Sequence, residues 1–339
     1  MTPPLVPSAH PVVAAPMAGG PSTVRLAVAV AEAGGFPFLA AGYKTPAALE
    51  AEMESLRARR VAYGVNLFVP SQKPVDPAAF AAYAEQLQPE ADAYGLRLDP
   101  SPVADDDGWA EKTRLLLEHP VPVVSFTFGL PPADDIVALR RCGSRVLLTV
   151  TSPDEAEAAV ERGADALVVQ GSAAGGHSAT FDPATVPAEV ELVDLVAQVR
   201  TVTSVPLVAA GGITSAEAVR EVLDAGAEAA AVGTVLLRTD EAGTSPVPRA
   251  ALADPAYQQT VMTRAFTGRP ARALPNGFVR RHPDAPTGYP EVHHLTRPIR
   301  AAAFQAGDAD RVNLWAGTGW RQAPTGPAGQ VIRSLAVQR

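Results

Sequence analysis

Short apolar runs recur through the first 237 residues, most ending in or near Gly, Asn or Gln and followed by a segment of helical periodicity. They lie at Val12–Pro16, Phe36–Ala41, Val61–Phe68, Val121–Phe126, Arg145–Val150, Ala166–Gln170, Pro206–Ala210 and Ala229–Val235. Val, Ala, Leu and Phe fill them almost without alternation, as in parallel strands covered on both faces. Helix-start chemistry stands between them. Ser152-Pro153-Asp154-Glu155 and Thr214-Ser215-Ala216-Glu217 read as capping boxes with Ser152 and Thr214 as caps, and Thr45-Pro46 opens a third helix. Gly163 and Gly226 end two of the helices. Strand, loop, capped helix and glycine make a βα unit, and eight of them predict an α/β fold, a (β/α)8 barrel rather than an open doubly wound sheet.

From about Thr239 to Asp310 prolines interrupt the pattern, and helical stretches such as Arg249 to Thr263 alternate with loops. This predicts an inserted, mostly helical cap over 238–310, with the barrel formed by 1–237 and 311–339. The tail from Val312 to Gln338 carries an amphipathic stretch suited to a closing helix.

Composition narrows the function classes. The 27 glycines and 33 prolines are dispersed among apolar segments, which argues for tight turns rather than a disordered tract. The net charge is −8 and only three lysines occur (Lys44, Lys73, Lys112), so nucleic acid is not an expected partner. A single cysteine, Cys142, excludes an intrachain disulfide and is expected as a half-buried thiol. No Cys/His cluster has zinc spacing, so no metal is expected. With no basic leader, and no apolar run of about 20 residues, the expected setting is cytoplasmic, away from a membrane.

In such barrels the chemistry lies at the C-terminal ends of the strands, with phosphate commonly held after strands seven and eight. Ala210-Gly211-Gly212 precedes a helix start, and Ala231-Val232-Gly233-Thr234 ends the eighth run; together they predict a phosphate site of bare backbone and one hydroxyl. Gln170 to Ser178 is a small-residue loop in which Gly175 and Gly176 allow a planar ligand to approach. His177 is its one ionisable group, with an ordinary pKa of about 6.5 suited to proton transfer near neutrality. Met17, Asn66 and Thr127 stand at other strand ends, and the amides of Asn66 and Gln170 suit a heterocycle that both donates and accepts.

The motifs Ala15-Pro16-Met17-Ala18-Gly19-Gly20, Gly64-Val65-Asn66-Leu67-Phe68, the 170–177 loop, Ala209 to Ile213, Gly233-Thr234, Thr267-Gly268-Arg269-Pro270-Ala271-Arg272 and Leu314-Trp315-Ala316-Gly317 occur in that order. This series resembles the nitronate monooxygenases, also called 2-nitropropane dioxygenases, over nearly the whole chain. The resemblance implies a barrel with non-covalent FMN that oxidises alkyl nitronates, such as propionate 3-nitronate, with dioxygen to a carbonyl compound and nitrite. It implies cofactor contacts at Met17, Ala18, Asn66, Gln170, Gly175, Gly176, Ala210, Gly211, Gly212, Ala231, Val232, Gly233 and Thr234, with His177 as the active-site histidine. His177 would take the α-proton of a neutral nitroalkane, or hold the oxygens of a nitronate as a donor. Thr127 stands where some members have histidine, and Ala173 where glutamate is common.

Thr127, Tyr289 and His293 are the candidate substrate residues, with His294 beside them; surface exposure is the plainer alternative for the cap histidines. Two other functions remain open. One is a flavin-dependent enoyl-acyl-carrier-protein reductase that uses NAD(P)H and shares an Ala-Gly-Gly-His loop; the other is a non-catalytic FMN-binding barrel. The partners expected are a small nitronate or nitroalkane and dioxygen, with a homo-oligomer left open.

Overall fold

The computed structural model describes residues 5–71 and 73–337. The outermost residues of the expected barrel segments, 1–4 and 338–339, lie outside the described residues. The strands, in chain order, are β1 Val12–Ala14, β2 Phe36–Ala40, β3 Gly64–Phe68, β4 Val123–Thr127, β5 Arg145–Val150, β6 Ala166–Gln170, β7 Gly176–His177, β8 Leu207–Ala210, β9 Ala229–Val232, β10 Val261–Thr263 and β11 Ala271–Ala273. The α-helices are α1 Val24–Glu32, α2 Pro46–Ala58, α3 Pro77–Asp92, α4 Trp109–Glu118, α5 Ala133–Arg141, α6 Pro153–Arg162, α7 Leu192–Val202, α8 Ala216–Asp224, α9 Pro246–Ala251, α10 Gly277–Arg281, α11 Glu291–Ala306 and α12 Ala328–Leu335.

Eight parallel strands close in the order β1-β2-β3-β4-β5-β6-β8-β9, with β9 pairing back onto β1 through Val12↔Ala230 and Ala14↔Val232. Seven of the eight apolar runs contain one of these strands, and the fourth overlaps β4, which extends one residue beyond it to Thr127. The fold is the (β/α)8 barrel that the pattern predicts. Strand faces turned outward, among them Val65, Leu67, Leu148 and Val169, bury against Leu49, Met53, Leu116, Leu139 and Val196 of the helix ring. α12 packs between α1 and α8, neighbours across the closure.

Local chemistry explains the helix starts, with two departures from expectation. Thr45 and Ser152 accept from the N–H of the third residue beyond them. Ser215, not Thr214, caps α8 and accepts from Ala218. Glu155 does not reach back to the N–H of Ser152; its carboxylate takes the N–H and hydroxyl of Thr151 at 2.7 and 2.8 Å and the N–H of Phe181 at 2.7 Å. It therefore ties the segment after β7 to the end of β5. Cys142, the C-cap of α5, is exposed rather than half-buried.

Above the strand ends, β7, β11 and β10 form a small antiparallel sheet. The helix expected over Arg249–Thr263 is absent: α9 ends at Ala251 and the chain enters β10 at Val261. A second apolar core lies here, in which Val75, Phe80, Tyr83 and Leu87 from the connection after β3 meet Phe266, Phe278, Val292 and Ile299. Glu90 on α3 clasps the same layer. Its buried carboxylate receives Arg281 Nε at 2.6 Å, Arg311 Nε at 2.6 Å and His282 Nε2 at 3.1 Å, and these donors hold its pKa down to about 2 against the cost of burial.

Candidate active site

A cavity of about 730 Å³ opens at the C-terminal ends of the barrel strands. It is lined by all the expected cofactor residues: Met17, Ala18, Asn66, Gln170, Gly175, Gly176, Ala210, Gly211, Gly212, Ala231, Val232, Gly233 and Thr234. His177, Thr127 and His293 line it as well. Tyr289 does not; it stands behind the wall, 6% exposed, with its hydroxyl 3.0 Å from that of Tyr43.

The floor is built from small residues on adjacent strands. Ala210 of β8 pairs with Ala231 of β9, so two methyl groups stand where larger side chains would fill the mouth. Gly211 and Gly212 follow at φ +121° and +74°, which only glycine adopts without strain. Gly233 differs: its φ of −124° suits any residue, and a Cβ there would make ordinary contacts of 3.6 Å with Ala15 and Met17. Neither backbone nor packing demands glycine at 233, so the missing side chain serves the open cavity. The Thr234 hydroxyl accepts from Gly317 N–H at 3.0 Å and fixes the turn after Trp315. At Gly175 a Cβ would run into the backbone of Ala316 and Gly317. Ala173 also packs into this turn, its carbonyl accepting from Thr318 N–H at 3.0 Å.

His177 lies on β7, paired with Ala271 of β11, and not on a free loop. Gln170 holds the segment from below: its Nε2 donates to the His177 carbonyl at 3.3 Å and its Oε1 accepts from Ala179 N–H at 2.8 Å. The imidazole Nε2 stands 2.9 Å from Thr267 Oγ1, and the ring is walled by Phe128, Tyr289 and Trp315 at centroid distances of 5.8, 5.5 and 5.4 Å. Burial, then the guanidinium charges of Arg269 and Arg300, push the His177 pKa from 6.5 down to about 3. The ordinary value expected for this histidine is therefore corrected: it is neutral at physiological pH.

A family model described as nitronate monooxygenase matches residues 5–338. The chain belongs to the nitronate monooxygenase family. A probable nitronate monooxygenase of Staphylococcus aureus (strain Newman) is 33% identical over 335 residues, covering 97% of this chain and 94% of the relative. Nitroalkane oxidase from Streptomyces ansochromogenes superposes with a TM-score of 0.92 at 47% identity, over 97% of this chain and 95% of that one. FabK from Thermotoga maritima is more distant, with a TM-score of 0.76 and 26% identity over 98% and 93% of the two chains. The nitronate monooxygenase family is flavin-dependent, and the chain is an oxidoreductase of that family.

Elsewhere the cavity is lined by aromatic and charged side chains: Tyr43, Phe68, Phe128 and Trp315, the cations Lys44, Arg297 and Arg300, and the carboxylates Asp105 and Asp107. Phe128 follows β4 at φ +81°, a conformation unfavourable for a bulky side chain. Its ring is held between Phe68 at 4.6 Å and the Arg269 guanidinium at 4.2 Å. Arg269 is 1% exposed, and its Nη1 donates to the carbonyls of Thr180 at 2.6 Å and Ser178 at 3.3 Å. It thereby fixes the segment that leaves His177. Tyr43 stacks on His293 at 4.3 Å with the rings parallel to within 1°. His293 is 7% exposed, so the surface alternative is wrong for it. It supplies a second imidazole to the cavity, from α11 instead of position 127. The Thr127 hydroxyl is taken by Asn66 Nδ2 at 3.0 Å.

Arg300 also lines the cavity. It donates to Thr296 Oγ1 at 3.1 Å, the His293 carbonyl at 2.9 Å and Asn313 Oδ1 at 3.3 Å, all neutral acceptors. Neither Arg300 nor Arg269 has a carboxylate within ion-pair distance among the described residues. Burial lowers both to about 10, which leaves them cationic at neutral pH. Tyr43, Phe128 and Arg300 escape the sequence reading. Arg300 alone left a signal there: His293, Thr296 and Arg300 recur at i, i+3 and i+7, one face of a helix.

Proposed function

We infer that this protein oxidises alkyl nitronates, propionate 3-nitronate among them, with FMN and dioxygen, giving a carbonyl compound and nitrite. The observation that carries this reading is electrostatic: beside a neutral His177, the cavity presents the Arg300 guanidinium, which has no carboxylate partner among the described residues. A partly buried cation left without a counter-ion favours an anion arriving from solution. A nitronate is such an anion, and a neutral nitroalkane is not. The name of the 47% identical structure, nitroalkane oxidase, points to the same class of compound.

The residues at the mouth fit the cofactor. Gly211, Gly212, Gly233 and Thr234 would hold its phosphate, and Ala210 and Ala231 leave a flat floor beneath a planar ring. Asn66, Gln170 and Gly175 would face the ring edges, with Met17, Ala18, Gly176 and Val232 around them. FMN, when bound, accepts the electrons of the substrate and delivers them to dioxygen.

His177 then acts through one nitrogen. The Thr267 hydroxyl has the Arg269 carbonyl as its own acceptor at 3.4 Å, so its oxygen receives the Nε2–H of His177 and Nδ1 is the unprotonated nitrogen. That arrangement suits proton abstraction from a neutral nitroalkane rather than donation to a nitronate. With a pKa near 3, His177 is a weak base in the cavity, and a nitronate, already deprotonated, needs none. Arg300, not His177, meets the negative charge.

The test is the absorbance spectrum as purified, followed by nitrite release from ethylnitronate and nitroethane in parallel. A flavin spectrum, nitrite from the nitronate, and a further loss of nitroethane turnover of roughly 10² to 10⁴-fold in His177→Ala are expected. A yellow protein that releases no nitrite from either compound would refute the reading.

A further inference from the structure

The barrel interior is filled unevenly. Its inward-facing apolar side chains form a cluster separate from the core between strands and helices. Such interiors are commonly packed in layers dominated by Val, Ile and Leu. Here Ala166, Ala210, Ala229 and Ala231 occupy inward positions, and a Cβ at Gly64 would strike the Phe38 ring. The cavity at the mouth accordingly does not stop at the strand ends. It continues past Val13, Phe38, Leu147, Val168 and Val208 to Val6. Val6 lies at the opposite end of the barrel, where the Leu5 carbonyl accepts from Arg145, the first residue of β5.

Between this lower room and the mouth stands a polar collar whose groups largely satisfy one another. Asn66 Nδ2 donates to Ser125 Oγ at 2.9 Å and Thr127 Oγ1 at 3.0 Å, Thr149 Oγ1 lies 3.4 Å from Thr127 Oγ1, and the amide of Gln170 is held by backbone. Below the collar the lining side chains are apolar. A buried water needs two to four polar partners, so such a room stays dry and accepts small apolar solutes, while an anion there would lose its hydration without replacement.

We propose that the apolar room bounded by Val6, Val13, Leu147, Val168 and Val208 is a binding site for dioxygen, the second substrate. The proposal rests on the oxidase reading above in one respect only, that dioxygen is the oxidant. It divides the cavity by chemistry: the anion stays at the cationic mouth beside Arg300, and the neutral diatomic gas, which needs no hydrogen bonds, collects in the barrel interior.

Xenon, an apolar atom that reports dry cavities, is the probe. Crystals of the flavin-loaded protein under xenon pressure should show the gas among Val13, Leu147 and Val208. Val208→Phe fills the room, and Val168→Leu narrows it with a single added methylene in case the larger change impairs folding. Both variants should lose or weaken the xenon site. Their chemically reduced flavin should be reoxidised by dioxygen several-fold more slowly, a reaction that involves no nitronate. Xenon that enters the flavin-free protein but not the flavin-loaded one would overturn the proposal, because the cofactor itself would then fill the room. Reoxidation at the wild-type rate in folded variants that exclude xenon would overturn it as well. Failure to release nitrite from nitronates, with xenon binding and slowed reoxidation intact, would count against the oxidation of nitronates alone.

Discussion

His177 Nε2 and Thr267 Oγ1 stand 2.9 Å apart, joining β7 to the turn that precedes β11. This contact sets both the tautomer and the angle of the imidazole. Thr267→Val keeps the volume and removes the acceptor, and a hydrogen bond of this kind contributes about 0.5–1.5 kcal/mol. Nitroethane turnover should fall by up to about tenfold with the flavin spectrum unchanged, and Thr267→Ser should restore it. Steady-state kinetics of the three proteins check this; equal loss in the serine variant would assign Thr267 to packing alone.

Arg300 donates only to neutral groups on the protein side, so its charge is free to act on what enters the cavity. Arg300→Gln removes that charge while keeping a donor. A charge-assisted hydrogen bond contributes about 1.5–3 kcal/mol, so KM for ethylnitronate should rise roughly 10- to 100-fold. KM for neutral nitroethane should change far less. An equal rise for both would show that Arg300 shapes the cavity without recognising charge.

Acid sensitivity follows from the buried histidines. His177, His282 and His293 all have pKa values lowered by burial, His177 to about 3. Between the ordinary value of about 6.5 and the depressed folded value the unfolded chain binds the extra proton, so stability is complete above about pH 6.5 and declines as pH falls. Each such histidine contributes up to about 1.4 kcal/mol per pH unit in this window. Glu90, with its pKa held down to about 2, loses its contribution only below the ordinary carboxylate range. Thermal melts should therefore already fall between pH 6.5 and 5, and His293→Gln should flatten the slope.

Glu90 is the carboxylate on which Arg281, Arg311 and His282 converge. Glu90→Gln leaves those donors without their shared anion and should destabilise the protein by about 3 kcal/mol. Because the clasp joins α3 to the layer above the barrel, the loss should appear first as increased amide hydrogen exchange in α3 and α10. Uniform exchange across the barrel would contradict this division.

The barrel was legible because its strands are buried on both faces and read as continuous apolar runs. Three of them begin later than the apolar pattern does: β3 starts at Gly64 rather than Val61, β4 at Val123 rather than Val121, and β8 at Leu207 rather than Pro206. Apolar residues approaching a strand bury without joining the ladder, as Tyr63 does at 5% exposure. The small sheet was not legible. Strands of two or three residues, such as β7 and β10, carry no period, and β7 finds its partner β11 more than 90 residues further along the chain. The glycine-rich mouth was legible from strand ends, whereas the state of His177 was not. Its neutrality comes first from burial and then from Arg269 and Arg300, all contributed by distant segments that no local pattern connects to it.

The most direct test of the account is anaerobic mixing of the purified flavoprotein with ethylnitronate and, separately, with NADPH, following flavin absorbance in a stopped-flow instrument. A site built around an uncompensated Arg300 and a neutral His177 should be reduced rapidly by the nitronate and only slowly by NADPH. Rapid bleaching by NADPH with an inert nitronate would contradict nitronate oxidation and place the chain with flavin reductases on this barrel.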